Sequence, residues 1–174
     1  MLGAPILVAS YSSLPLSPLL YRLLFLHAVI LMVGGHYTYA RVPIGFWVQD
    51  VLDLSRNHYD RLGHFAQGFV PAILTRELLL RLSPLRRGRW LFFLVVCVCL
   101  AFSALYELVE WWVALIGGAS AEAFLGTQGD VWDTQWDMFL ALVGSISAQA
   151  LLWKLHDDSM AAVVSAPGDA CRRS

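Results

Sequence analysis

Residues 90–117 read WLFFLVVCVCLAFSALYELVEWWVALIG. At about 1.5 Å per residue this stretch makes a helix longer than the roughly 30 Å hydrocarbon core of a bilayer. No charge interrupts residues 91–105. An Arg-rich turn (Arg86, Arg87, Arg89) precedes the stretch and Gly117-Gly118 ends it, so it reads as a transmembrane helix. Working outward, residues 60–82, 130–155 and 23–39 form three further apolar spans, the last only 17 residues long. Residues 41–59 contain Pro43, Gly45, Phe46 and Trp47 and read as a loop with an interfacial segment at 46–54. Residues 157–174 read as a polar, disordered tail. The expected fold is an all-α polytopic transmembrane bundle of about four helices, in one domain over residues 1–156.

Composition supports this reading. Hydrophobic residues make up 58% of the 174 and charged residues only 14%, too few to cover a globular surface. Mean hydropathy is +0.61. The net charge of -1 and the absence of a Lys/Arg-rich run give no sign of nucleic acid, and the expected partner is membrane lipid. Cys97, Cys99 and Cys171 form no zinc-binding pattern, and the first two read as packing residues within their helix.

The arginines orient the chain. Arg76, Arg81, Arg86, Arg87 and Arg89 surround one turn, whereas residues 118–129 hold neither Lys nor Arg. The positive-inside rule then makes the arginine turn cytoplasmic and puts both termini inside, with Arg41 and Arg56 a mild dissent in the outer loop.

On this topology ionisable residues from all four spans gather near the outer leaflet. His36 ends the first span, Asp60 and His64 open the second, Glu107 and Glu110 lie in the outer half of the third, and Asp130, Asp133 and Asp137 open the fourth. At about 100° per residue, Asp60, His64 and Gln67 share a face, as do Ser103, Glu107 and Glu110. Helix capping alone accounts for an acid such as Asp60, Asp130 or Asp133 at a helix start. It does not account for Glu107 and Glu110, near the negative end of their helix dipole. A charge inside a membrane helix costs at least about 2.5 kcal/mol, so both need a partner, a proton or water. His27, on the face opposite His36, reads as an interhelical hydrogen bond. The aromatic residues from Tyr37 to Trp136 that cluster at this boundary read mainly as an interfacial belt.

A divalent cation is the cofactor such a cluster would hold, with Asp133, Asp137, Glu107, Asp130 and His64 as candidate ligands. Asp60, His64, Glu107 and Glu110 are the candidate catalytic groups. Three functions fit: an enzyme acting on a lipid-linked or envelope substrate, a non-catalytic structural or accessory protein whose acids cap helices, and a proton-coupled transporter.

Four runs resemble the YjdF family of bacterial inner-membrane proteins: Phe25-Leu26-His27-Ala28 through Gly34-Gly35-His36-Tyr37-Thr38-Tyr39-Ala40, Asn57-His58-Tyr59-Asp60-Arg61-Leu62-Gly63-His64-Phe65, Tyr106-Glu107-Leu108-Val109-Glu110-Trp111-Trp112, and Leu125-Gly126-Thr127-Gln128-Gly129-Asp130-Val131-Trp132-Asp133-Thr134-Gln135. The resemblance covers roughly residues 17–155 and implies a multi-pass protein of the inner membrane, without an activity to carry over. Members tend to have further hydrophobic sequence at the N-terminus, whereas residues 1–13 are too short for a span; an added helix there would move the N-terminus outside. More faintly, Asp60-x-x-x-His64 with acids opening a later helix is similar to VanZ-like membrane proteins.

Overall fold

The computed structural model describes residues 14–117 and 128–164, and among these every regular element is a helix. Five helices follow in order: α1 (Pro18–His36), α2 (Pro43–Leu52), α3 (Tyr59–Leu82), α4 (Arg89–Gly117) and α5 (Asp133–Val164). The protein is a helical membrane bundle. By length and composition α1, α4 and α5 can cross a bilayer. We read α3 as the fourth crossing. Its 24 residues span about 36 Å, and its charges are confined to the two ends, with none from 62 to 75.

The modest hydropathy of α3 follows from its position. It packs against α1, α4 and α5 and forms the axis of the bundle, so protein rather than lipid solvates most of its surface. Small residues bring α5 close. A Cβ on Gly68 would strike the Ala141 carbonyl, and one on Gly144 would strike the Phe65 carbonyl. Backbones that approach this tightly gain dispersion along the seam, the main source of helix association in lipid. A core of Leu16, Leu20, Ala72, Ile73, Leu91, Val95, Cys99 and Ala148 closes the half of the bundle nearer the arginine turn. Large apolar side chains such as Phe25, Met32, Phe93, Phe102 and Ile116 point outward, as a lipid-facing surface requires. Cys97 is exposed on that surface, so only Cys99 is the core packing residue expected of both.

The interfacial segment is a ten-residue helix, α2, started by Pro43 and ended by Asp53 in the left-handed conformation (φ 50). Gly45 is buried against Asn57. Ile44, Phe46, Trp47, Val51 and Leu52 are exposed, so an apolar surface is available to the membrane interface. Both ends of α1 and of α5 differ from the expected spans 23–39 and 130–155, most at the start of α1 and the end of α5. Helix α1 starts at Pro18 because proline suits a first helical position. Helix α5 continues to Val164, where a tail was expected from residue 157, because His156 and Asp157 bind side chains of α3. Residues 118–127, between the third and fourth expected spans, and 165–174 of the expected tail lie outside the described residues, as do residues 1–13.

Candidate metal centre

The second turn of α3 carries the centre. Asp60 and His64, four residues apart, lie on the face turned toward α4 and α5, as their spacing dictates. His64 Nε2 is 3.7 Å from Asp60 Oδ1 and 3.7 Å from Asp137 Oδ2 of α5. On the other side of the ring, His64 Nδ1 is 3.8 Å from Glu107 Oε1 of α4. All four side chains are at least 93% buried, since their exposures are 7% (Asp60), 5% (His64), 7% (Glu107) and 2% (Asp137). These separations exceed a hydrogen bond. Asp60 Oδ2, His64 Nδ1, Glu107 Oε1 and Asp137 Oδ1 are buried without a hydrogen-bond partner. Orphaned polar groups in an apolar setting are costly, and three carboxylates around one imidazole call for a compensating cation or for protons.

Asp60, His64 and Asp137 offer three ligand atoms within 4.8 Å of one another. Around an ion with bonds of about 2.1 Å, neighbouring ligands stand roughly 3.0–3.5 Å apart, so a small inward movement would close the shell. One imidazole and two carboxylates form a donor set for Zn²⁺ or Mn²⁺. Glu107 lies on the far nitrogen of His64. That is the position from which a carboxylate fixes the tautomer of a metal-binding histidine, and Glu107, expected as a ligand, falls outside the group of three.

Asp130 and Asp133, expected as ligands, are engaged by arginines at the edge of the centre. Arg56 is 3.2 Å from Asp130 and 3.0 Å from Asp133, and Arg61 is 2.7 Å from Asp130. The Arg61 guanidinium also sits 5.1 Å above the Trp136 ring. These ion pairs tie the connection before α3 to the start of α5 and roof the centre. Gln128 donates to the Asn57 carbonyl (2.8 Å), and Asn57 Nδ2 donates to the Val42 carbonyl (3.0 Å), which joins α2 to the same roof. Asn57 Oδ1 and Asp130 Oδ1 accept from the backbone two residues on, at Tyr59 and Trp132. At the edge of this roof, burial and then the charges of Arg61 and Arg56 hold the His58 imidazole below the usual histidine range.

Glu110 lies beside the centre, on the wall of a cavity of about 130 Å³. Asp60, His64, Gln67 and Tyr106 supply its other polar wall, and Leu31, Val109 and Val113 its apolar wall. It is bounded by residues of α1, α3 and α4. Tyr106 meets the His64 ring edge-on at 6.1 Å. Pro71, inside α3, has no N–H to offer the Gln67 carbonyl one turn earlier. His36 is exposed beside Tyr37 and takes no part. His27 Nε2 has no hydrogen-bond partner, so the interhelical bond expected of it is not made through that nitrogen.

A second polar cluster, not anticipated from the sequence, lies at the other end of the bundle. Glu77 accepts from Ser17 Oγ (2.6 Å), Ser17 N (2.9 Å) and Arg81 (3.0 Å). Arg76 donates to His156 Nδ1 (2.8 Å), which leaves the proton on Nε2 to be donated to Glu77 (3.0 Å). Asp157 pairs with Arg76 and Arg87, each at 2.8 Å. Glu77 and His156 are fully buried and mutually satisfied, in contrast to the orphaned atoms around His64. The available signal was Arg76-Glu77 and His156-Asp157, two polar pairs at helix ends too deep to be solvated freely.

The family model described as "Predicted membrane protein (DUF2238)" matches residues 1–158. The chain is 58% identical over 151 residues to Inner membrane protein YjdF of Escherichia coli (strain K12), covering 87% of this chain and 72% of that protein. No solved structure matches. With its apolar helices and this relative, the protein is a multi-pass protein of the inner membrane. The chain belongs to the DUF2238 family of membrane proteins, of which the E. coli inner-membrane protein YjdF is a relative.

Proposed function

We propose that the protein is a metal-dependent membrane enzyme that acts on a lipid-linked or envelope substrate. Asp60, His64 and Asp137 hold one divalent cation, Glu107 orients His64, and Glu110 serves as acid or base at the cavity wall. The observation that carries this reading is the orphaned Asp60–His64–Asp137 group beside a cavity with one polar and one apolar wall. A bound cation would polarise a phosphoryl or acyl oxygen and activate water. The polar wall suits a headgroup and Leu31, Val109 and Val113 suit the start of an acyl chain. On the orientation set by the arginines, this chemistry faces the outer leaflet.

Transport is disfavoured by the seam between the two polar clusters. Gly68 on Ala141 and Gly144 on Phe65 bring backbones into contact where a through-path would run. The test is to incubate purified protein with total envelope lipid and follow the lipids by mass spectrometry, with and without a chelator. A conversion abolished by chelator, and by Glu110→Gln in protein that retains its metal, supports the reading. A lipid profile unchanged by metal-loaded wild-type protein contradicts it.

A further inference from the structure

The arginine turn adjoins a cavity that the proposed reaction does not use. It lies between the end of α3, the 83–88 connection and the last turns of α5, and its volume is about 620 Å³. Arg81, Arg86 and Arg87 line it, as do the apolar Leu80, Leu85 and Met160. The carboxylates beside these arginines are already engaged. Glu77 is held by Arg81 and His156, and Asp157 by Arg76 and Arg87. Three arginines, Arg81, Arg86 and Arg87, and one carboxylate, Asp157, therefore line the opening, an excess of two positive charges. Arg86 is exposed and makes no ion pair among the described residues. Arg87 commits only Nε to Asp157 and is 61% exposed, which leaves its terminal nitrogens for another acceptor.

We infer that this cavity binds the headgroup of an anionic phospholipid from the cytoplasmic leaflet. A phosphodiester accepts hydrogen bonds from forked guanidinium groups, and Arg86 and Arg87 offer two of them. Leu80, Leu85 and Met160 give the first acyl carbons an apolar surface, which a free ion would leave bare. The site lies at the end of the bundle that the positive-inside rule makes cytoplasmic, the leaflet surface where anionic lipids attract basic residues. The bound lipid fastens the arginine turn to the last turns of α5, and Asp157 is the protein's own brace between the same two elements.

Native mass spectrometry of the detergent-purified protein tests this inference, with phosphatidylglycerol, phosphatidylcholine or inorganic phosphate added in separate arms. Phosphatidylglycerol is expected to be retained in preference to phosphatidylcholine. Arg86→Gln should lower that retention about fivefold, and Arg86→Gln with Arg87→Gln further, the first change removing no bond within the chain. Arg89→Gln, outside the cavity lining, should leave it unchanged. Equal retention of both lipids, or undiminished phosphatidylglycerol in the double variant, overturns the site. Inorganic phosphate that displaces the lipid completely and binds as tightly assigns the cavity to a free ion and overturns the lipid occupant.

Discussion

His64 distinguishes the residues that the sequence groups together. Its Nε2 faces Asp60 and Asp137, and its Nδ1 faces Glu107, so the three acids stand at unequal positions, and the proposed function gives them unequal roles. Glu107→Gln should weaken the binding of a divalent cation by about 10- to 100-fold, as loss of an orienting carboxylate does elsewhere. Asp137→Asn removes a ligand charge and should weaken it more, which calorimetric titration of Zn²⁺ or Mn²⁺ into the two variants would show. Equal losses would put Glu107 in the ligand shell. Glu77 has the opposite character because all its neighbours are satisfied. Glu77→Ala would strand Arg81 and buried His156 and destabilise the fold by about 3 kcal/mol, measurable by thermal unfolding in detergent. Asp60 and His64 were legible from four-residue spacing, and Glu107 from the cost of a charge in lipid. Asp130 and Asp133 were not distinguishable from Asp137 by such rules. Arg56 and Arg61, which hold them, lie about 70 residues away in the chain, and no spacing rule reports such a pairing.

The α3–α5 pair sets the distance between the ligands. Asp60 and His64 come from one helix and Asp137 from the other, and Gly68 and Gly144 keep the two helices close just below them. Gly68→Leu should push the helices apart, destabilise the protein by at least about 2 kcal/mol, and reduce metal binding as well. Gly35→Ala, where an added Cβ meets nothing within 4 Å, should leave both unchanged or raise stability slightly. Thermal unfolding of the two variants separates a packing role from mere tolerance of glycine. The apolar spans were readable because lipid exposure demands unbroken hydrophobic sequence, as residues 90–117 show. The continuation of α5 to Val164 was not. Its polar last turns look like tail until Arg76 and Arg87 are seen to bind Asp157.

Across the whole molecule, polar chemistry is divided between two ends of an otherwise apolar bundle. One end carries orphaned acids beneath an arginine–aspartate roof, and the other a closed network next to a cationic cavity. The topology predicts that cysteines placed at Asp53 and at Arg89 lie on opposite sides of the membrane. In a background lacking the native cysteines, a membrane-impermeant maleimide added to intact spheroplasts should label the Asp53 position and spare the Arg89 position. This orientation rests on composition, which the chain displays openly, as do the spans α1, α4 and α5. The candidate metal centre depends on which faces of three helices meet.

The central claim is tested most directly by the metal content of protein purified in mild detergent without chelator, measured by inductively coupled plasma mass spectrometry for wild type and Asp137→Asn. The account predicts close to one equivalent of zinc or manganese in the wild type and a clear loss in a folded variant. The same metal content in both proteins, or none in a wild type that also takes up neither ion on titration, would contradict it.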